Sequence, residues 1–400
     1  METWKRNLIV CWFGSFATTA GMNLVIPFLP LFIKELGVHR TANIEQWAGS
    51  AFAATFLLSA IVSPIWGRVA DRRGRKLMLL RASLGMAIVM TLIGFVHNVY
   101  ELVLLRFLMG AVSGYIAAAI ALVATQTPET HSGWALGTLS TGAVGGTLLG
   151  PLIGGWLVGE IGLRHVFFAT GSFLLLSFGV TWLFVQEEFV NKNEHRSSMR
   201  QVFRSIGQPG VVVSLFLTTF MFQFANMSIE PIVTVYVRQL SHSSNHVALI
   251  SGAVFSASGL ASIIAAPQLG RLSDKFNARH VLFVCLVASG LLFIPQGFVS
   301  SPWQLMGLRF LTGLFIAGML PSINYLIKTS VPNSVAGRIF GYNQSAQYLG
   351  NIAGAMVGGQ LAAFAGFRAV FFSTSGLLLL NGFWLLLGSS GTTLARSQNL

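Results

Sequence analysis

Acidic side chains are scarce in this sequence. Twelve Asp and Glu stand among 400 residues, and charged residues of both signs make up only 9%. A soluble chain of this length needs far more charge to cover its surface. Cysteine is nearly absent too: Cys11 and Cys285 both fall in apolar runs, which leaves no basis for a disulfide framework. No G-x-x-x-x-G-K-[ST] loop occurs, so nucleotide-driven work has no support. No His/Cys grouping has metal-ligand spacing and no nucleophile constellation stands out, so neither an enzyme nor a bound metal or other cofactor is expected.

What the chain does have is apolar length. Hydrophobic residues make up 54% of it, in twelve runs: 8–33, 46–70, 77–96, 100–124, 134–157, 164–185, 211–236, 247–270, 280–299, 303–327, 338–363 and 368–390. Runs of ~20 residues cross a hydrocarbon core of ~30 Å as helices. Lipid offers the backbone no hydrogen-bond partner, so each must be helical. The expected fold is an all-α membrane protein with twelve transmembrane helices. Lys5 and Arg6 precede the first run, as in a signal peptide. That run is too long, and no A-x-A-like site follows, so an uncleaved first helix is expected.

The net charge of +13 is distributed like that of a membrane protein, not a nucleic-acid binder. With a cytoplasmic N-terminus, eighteen of the 25 Lys and Arg fall on the inner side and five outside, while Arg106 and Arg309 lie within spans. This is the positive-inside pattern of a protein set in a lipid bilayer, and it puts both termini in the cytoplasm.

The chain repeats itself at long range. "LRFLMG" at 105–110 returns as "LRFLTG" at 308–313, and "GRVADRRGRK" at 67–76 returns as "GRLSDKFNAR" at 270–279. "RHVFFATGS" at 164–172 returns as "RAVFFSTSG" at 368–376, and "IPFLPLFIKEL" at 26–36 aligns with "EPIVTVYVRQL" at 230–240. Two pseudo-symmetric six-helix bundles follow, 1–186 and 208–400, joined by a polar cytoplasmic linker, 187–207. Duplicated halves suit a transporter that rocks around a central site. A duplicated scaffold or receptor without transport is the alternative.

Two motifs sharpen the choice. In 67–76, Gly67 and Gly74 permit a tight reversal. Asp71 stands just ahead of the third helix, where the positive helix end favours an acid. Topology alone explains the basic residues, but not the acid with both glycines. The second motif is "GTLLGPLIGG", with Gly146, Gly150, Pro151, Gly154 and Gly155. The i, i+4, i+8 glycines present a smooth stripe to another helix, and Pro151 is expected to bend its own.

These stretches resemble the major facilitator superfamily. Gly67, Asp71, Arg72, Gly74, Arg75 and Lys76 match its loop G-x-x-x-D-R-x-G-R-[RK], which implies a cytoplasmic gate. In the second copy Gly270 and Asp274 remain, but Asn277 and Ala278 replace the second glycine and an arginine. Asn tolerates left-handed backbone, so the turn is expected to survive with a weaker charge lock. "GTLLGPLIGG" is similar to the antiporter motif of the superfamily's drug/proton exporters. The likeness covers essentially the whole chain and extends to "TWKRNLIVCWFG", "RKLMLLRASLGM" and "SGWALGTLSTG".

One acid stands apart. Glu230 lies inside the seventh run, directly before Pro231, at a depth like that of Arg106 and Arg309, and Arg309 of its own half is the expected partner. Charges inside membranes face interiors or cavities and mark function. Thr219, Gln223, Asn226 and Glu230 form one polar stripe, and Asn343, Gln347 and Asn351 another. In the superfamily the helices carrying Glu230, Arg106 and Arg309 line the cavity, and "RFLMGAVSG" resembles the fourth-helix motif linked to proton transfer. Asn23, Phe222, Gln223, Asn226, Tyr325, Asn343 and Gln347 are candidate cavity residues. The resulting expectation is a drug/proton antiporter of a bacterial cytoplasmic membrane. It would act as a monomer by alternating access, with the proton as coupling ion and amphipathic or cationic compounds as substrates. An exporter of one metabolite (a sugar or lipid-like molecule) is the nearest alternative, and a fixed Glu–Arg bridge is the competing role for Glu230.

Overall fold

The computed structural model describes residues 2–128, 131–187, 209–241, 246–275, 277–331 and 333–387. Apart from Glu187, the expected linker 187–207 lies outside the described residues. No strand occurs among them. The first sequence half contains α1 (Thr3–Val25), a 3-10 turn (Ile26–Phe28), α2 (Leu29–Glu35), α3 (Thr41–Arg73), α4 (Arg75–Ile93), α5 (Val99–Val112), α6 (Tyr115–Gln126), α7 (Ser132–Ile161) and α8 (Leu163–Phe184). The second contains α9 (Pro209–Ile229), α10 (Val233–Leu240), α11 (Val247–Lys275), α12 (Ala278–Gln296), α13 (Pro302–Ser330) and α14 (Asn333–Leu387).

Eleven stretches are long and apolar enough to cross a membrane. The last of them, Ile339–Leu385, has 47 residues. At ~1.5 Å per residue it is more than twice as long as a ~30 Å core. Gly366, at φ 79 and ψ 172, breaks it into two arms. The result is twelve crossings.

Three of these crossings are broken where one continuous helix was expected. The first passes from α1 through the 3-10 turn at Pro27 into α2, and the seventh stops at Ile229 and restarts at Val233. Proline has no N–H to give to the helix ladder, and Pro27 and Pro231 stand in these breaks at equivalent points of the repeat. The fourth breaks between Val112 and Tyr115, where Gly114 adopts φ +114. Pro151, by contrast, does not interrupt α7, which is helical from Ser132 to Ile161.

Duplication is visible in the packing. A Cβ on Gly146 would lie 2.7 Å from Phe16 O and from Ala20 N, and one on Gly150 would lie 2.8 Å from Ala20 O; Gly154 abuts Leu24 O in the same way. Thus α7 lies directly on the backbone of α1. In the second half Gly350, Gly354 and Gly358 press on Phe220, Phe224 and Ser228 of α9, each 204 residues further on. The caps repeat too. Asn98 accepts from Glu101 N at 3.0 Å while Glu101 accepts from His97 N at 2.8 Å, a reciprocal capping box. Ser301 and Gln304 provide the equivalent caps on α13, accepting from Trp303 N at 3.3 Å and Ser300 N at 3.0 Å. Arg164 donates to Gly94 O and Arg368 to Gly297 O, both at 3.1 Å.

The chain divides into two compact units, Met1–Glu194 with Pro231–Ser256, and His195–Glu230 with Ala257–Leu400. Contacts inside the first unit explain why it includes a segment of the second sequence half. Gly155 adjoins Ala248 and Leu249, Ser256 Oγ donates to Leu148 O at 2.8 Å, and Thr234 Oγ1 bonds Pro27 O.

Candidate functional site

Glu230 sits in the break between α9 and α10, as the last residue of the second unit's segment His195–Glu230. It is partly buried there, and its charge acts on Arg309 of α13, which is 4% exposed. The break explains the position of the acid better than the continuous helix expected for 211–236. Irregular backbone at membrane depth persists only where protein or a watery cavity covers it. A carboxylate is stable in the same kind of place.

Along α9 the polar stripe leads away from Glu230. Gln223 Nε2 donates to Gln347 Oε1 of α14 at 3.4 Å, and Thr219 Oγ1 turns back to Leu215 O at 2.9 Å. On α14, Asn343 and Asn351 are 1% and 8% exposed, and each has a buried Oδ1 without a hydrogen-bond partner. Asn226 is half-buried on the same side as Gln223. Phe222 belongs instead to the packed face of α9, and Tyr325 is 41% exposed on α13. Asn23, in the first unit, donates to Thr19 O of its own helix at 2.8 Å, beneath Gly150. Glu230, Arg309, Gln223, Asn226, Asn343 and Gln347 therefore all belong to the second unit, while Asn23 and Arg106 do not.

Arg106 is 2% exposed on α5, with Nε and Nη2 unpartnered. Its backbone carbonyl accepts from Thr55 Oγ1 at 2.9 Å. Four to seven residues further along, three side chains bind the backbone where α5 ends. Ser59 donates to Gly110 O at 3.1 Å, Trp66 Nε1 to Ala111 O at 2.8 Å, and Arg81 Nη2 to Ser113 O at 2.7 Å. Arg81 also lies 4.0 Å over the Trp66 ring. Sequence reasoning missed Arg81 and Trp66, whose signal was a lone arginine and a tryptophan in otherwise apolar runs.

The gate turn differs from expectation. Gly67 is helical with open space around it, and Asp71 lies within the last turn of α3, its side chain outside the described residues. The reversal is made by Gly74 alone, at φ 90. The acid at the start of α4 is Glu187, accepting from Arg75 N and Lys76 N at 2.7 Å each. A Cβ on Gly74 would lie 2.6 Å from the Glu187 carboxylate. Asn7 holds this strand of chain in place, donating to Gln186 O at 2.6 Å and accepting from Gln186 N at 3.0 Å. Arg72 is exposed beside the turn. In the second copy Gly270 and Asp274 fall in the last turns of α11, their side chains outside the described residues. Asn277 is not left-handed: at φ −62 it caps α12 itself, accepting from Arg279 N at 3.0 Å.

Comparison with known proteins fits this arrangement. The Major Facilitator Superfamily model matches residues 11–262 and 215–398. The chain belongs to the major facilitator superfamily. Relatives within the superfamily include "Multidrug resistance protein MdtG" of Salmonella paratyphi C (strain RKS4594), 49% identical over 383 residues that cover 95% of both chains. The protein of the same name from Salmonella schwarzengrund (strain CVM19633) matches equally, at 49% over 383 residues. Among solved structures, a bacterial homolog to the human lysosomal transporter Spinster superposes with a TM-score of 0.81 at 15% identity, covering 98% of each chain. The human organic anion transporter MFSD10 gives 0.70 at 18% identity, covering 96% of this chain and all of that one. Superfamily membership makes this a multi-pass membrane transporter with two six-helix halves.

Proposed function

We propose that the protein is a proton-coupled multidrug exporter of a bacterial cytoplasmic membrane. It would exchange protons for amphipathic or cationic compounds by alternating access, as a single chain with both termini in the cytoplasm. Its near-half identity to MdtG, along almost the full length, supports drug export. The antiporter sequence 146–155 supports exchange over uptake. Glu230 supports the coupling: a membrane acid in a helix break, within electrostatic reach of Arg309 and in line with Gln223 and Asn226. In this reading Glu230 takes a proton from outside and releases it inside, and a cationic substrate competes for the carboxylate.

The test is efflux of a lipophilic cation from proteoliposomes under an imposed pH gradient, repeated with the gradient collapsed. The wild-type protein should move the cation only with the gradient. Glu230→Gln should abolish that movement while still binding substrate. Wild-type efflux by Glu230→Gln would overturn the assignment of Glu230, and gradient-independent efflux would overturn proton coupling.

A further inference from the structure

The first unit contains a carboxyl that plays no part so far. Glu45, in the second turn of α3, is 2% exposed. It continues the buried stripe Ala48, Phe52, Thr55 and Ser59, at spacings of three or four residues. Two members of that stripe, Thr55 and Ser59, hydrogen-bond the backbone of α5 at Arg106 and Gly110.

The elements packed on α3 are α2, α4 and α5. They carry Lys34 and Glu35, then Arg75, Lys76 and Arg81, then Tyr100, Glu101 and Arg106. None of these forms a hydrogen bond or ion pair with Glu45 among the described residues. Glu101 is committed to its own helix cap, and Arg81 to Ser113 O and Trp66. Arg106 remains as a second buried charge on the α3–α5 pair, with Nε and Nη2 unpartnered. It bonds Thr55 through its carbonyl, ten residues or ~15 Å of helix rise from Glu45.

Helix packing does not require the acid. At offsets of 203 and 204 the second half has Ala248 and Leu249, neither of them ionisable. A carboxylate taken out of water without a hydrogen bond or ion pair is costly to ionise, and a bound proton relieves that cost. We propose that Glu45 is a second proton-binding carboxyl, built into the first unit and distinct from Glu230. Its role in transport rests on the proton-coupled reading above, but the bound proton does not.

Two measurements test it. Infrared spectra of the purified protein at neutral pH should contain a protonated-carboxyl band that Glu45→Gln removes, Glu45→Asp shifts and Glu230→Gln leaves in place. A band unchanged in Glu45→Gln would overturn the proposal, whatever the fate of Glu230. If Glu45→Gln does not fold, a hydrophobic carbodiimide applied to the wild-type protein gives the answer, because it modifies protonated carboxyls in apolar surroundings. Mass spectrometry should find Glu45 modified at neutral pH and less so as pH rises; an unmodified Glu45 would overturn the proposal. In proteoliposomes Glu45→Gln should lower the protons exchanged per substrate by one, and an unchanged ratio would remove its part in coupling.

Discussion

At the scale of single residues, the two halves solve one capping problem in different ways. Helix α12 is capped by the side chain of Asn277; its counterpart in the repeat, Gly74, has none, and Glu187 takes its place from the end of the sixth crossing. Removing a helix cap costs about 1 kcal/mol, and up to ~2 in well-ordered sites. Glu187→Ala should therefore lower thermal stability in detergent by that amount. Asn7→Ala should cost at least as much, since Asn7 is buried and holds both backbone groups of Gln186. Gly74→Ala meets two obstacles, a left-handed backbone and the Glu187 carboxylate 2.6 Å from the new Cβ. Combined with Glu187→Ala it should cost less than the sum of the single changes, because the collision disappears. Additive losses in a thermal-shift series would contradict this picture. Little of it was legible in the sequence. Glu187 stands in a polar run that reads as solvated linker, and the motif directs attention to Asp71. Only the need for Gly74 followed from the pattern, because the reversal leaves no room for a regular helix.

At the scale of elements, helices and their duplication were legible, while their interruptions were read incompletely. Apolar runs locate crossings because lipid tolerates little else. They do not show where a crossing stops and restarts, since the residues on both sides of a break are equally apolar. Pro27 and Pro231 gave a signal that the run lengths outweighed, and Gly114 in "AVSG" looked like a packing glycine. The break at Gly114 depends on Ser59, Trp66 and Arg81 to satisfy its carbonyls. Losing one buried partner costs roughly 1–3 kcal/mol. Arg81→Gln should destabilise by that amount and slow transport, while Arg81→Lys keeps a charge but loses the stacking on Trp66 and should be intermediate. Gly114→Ala forces a methyl into φ +114 and should cost ~1–3 kcal/mol. The equivalent residue, Ala317, lies in the unbroken α13, so Ala317→Gly should cost only ~0.5–1 kcal/mol. Equal losses at the two positions would mean that the break is not specific to the first half.

At the scale of the whole molecule, the duplicated halves share their backbone plan and differ in their charges. Both have a proline break after the inner part of the first helix of the repeat, and both rest a glycine stripe on that helix. The first half places Ile26 at its break and the second places Glu230. Folding alone therefore does not call for the acid, since the first half makes the same break without one. Arg309 and Arg106 are equivalent in the repeat, yet only Arg309 is matched by an acid at its own unit's break. A buried charge stripped of its partner is more damaging than a pair removed together, by roughly 3–5 kcal/mol against little or nothing. Arg309→Met alone should then express poorly and melt early. Glu230→Gln with Arg309→Met should regain much of that stability while remaining unable to drive efflux from a pH gradient. A pair kept for structure alone makes the opposite prediction for transport: with stability regained, efflux should return as well. Measuring melting and gradient-driven efflux on the same three preparations separates the two roles.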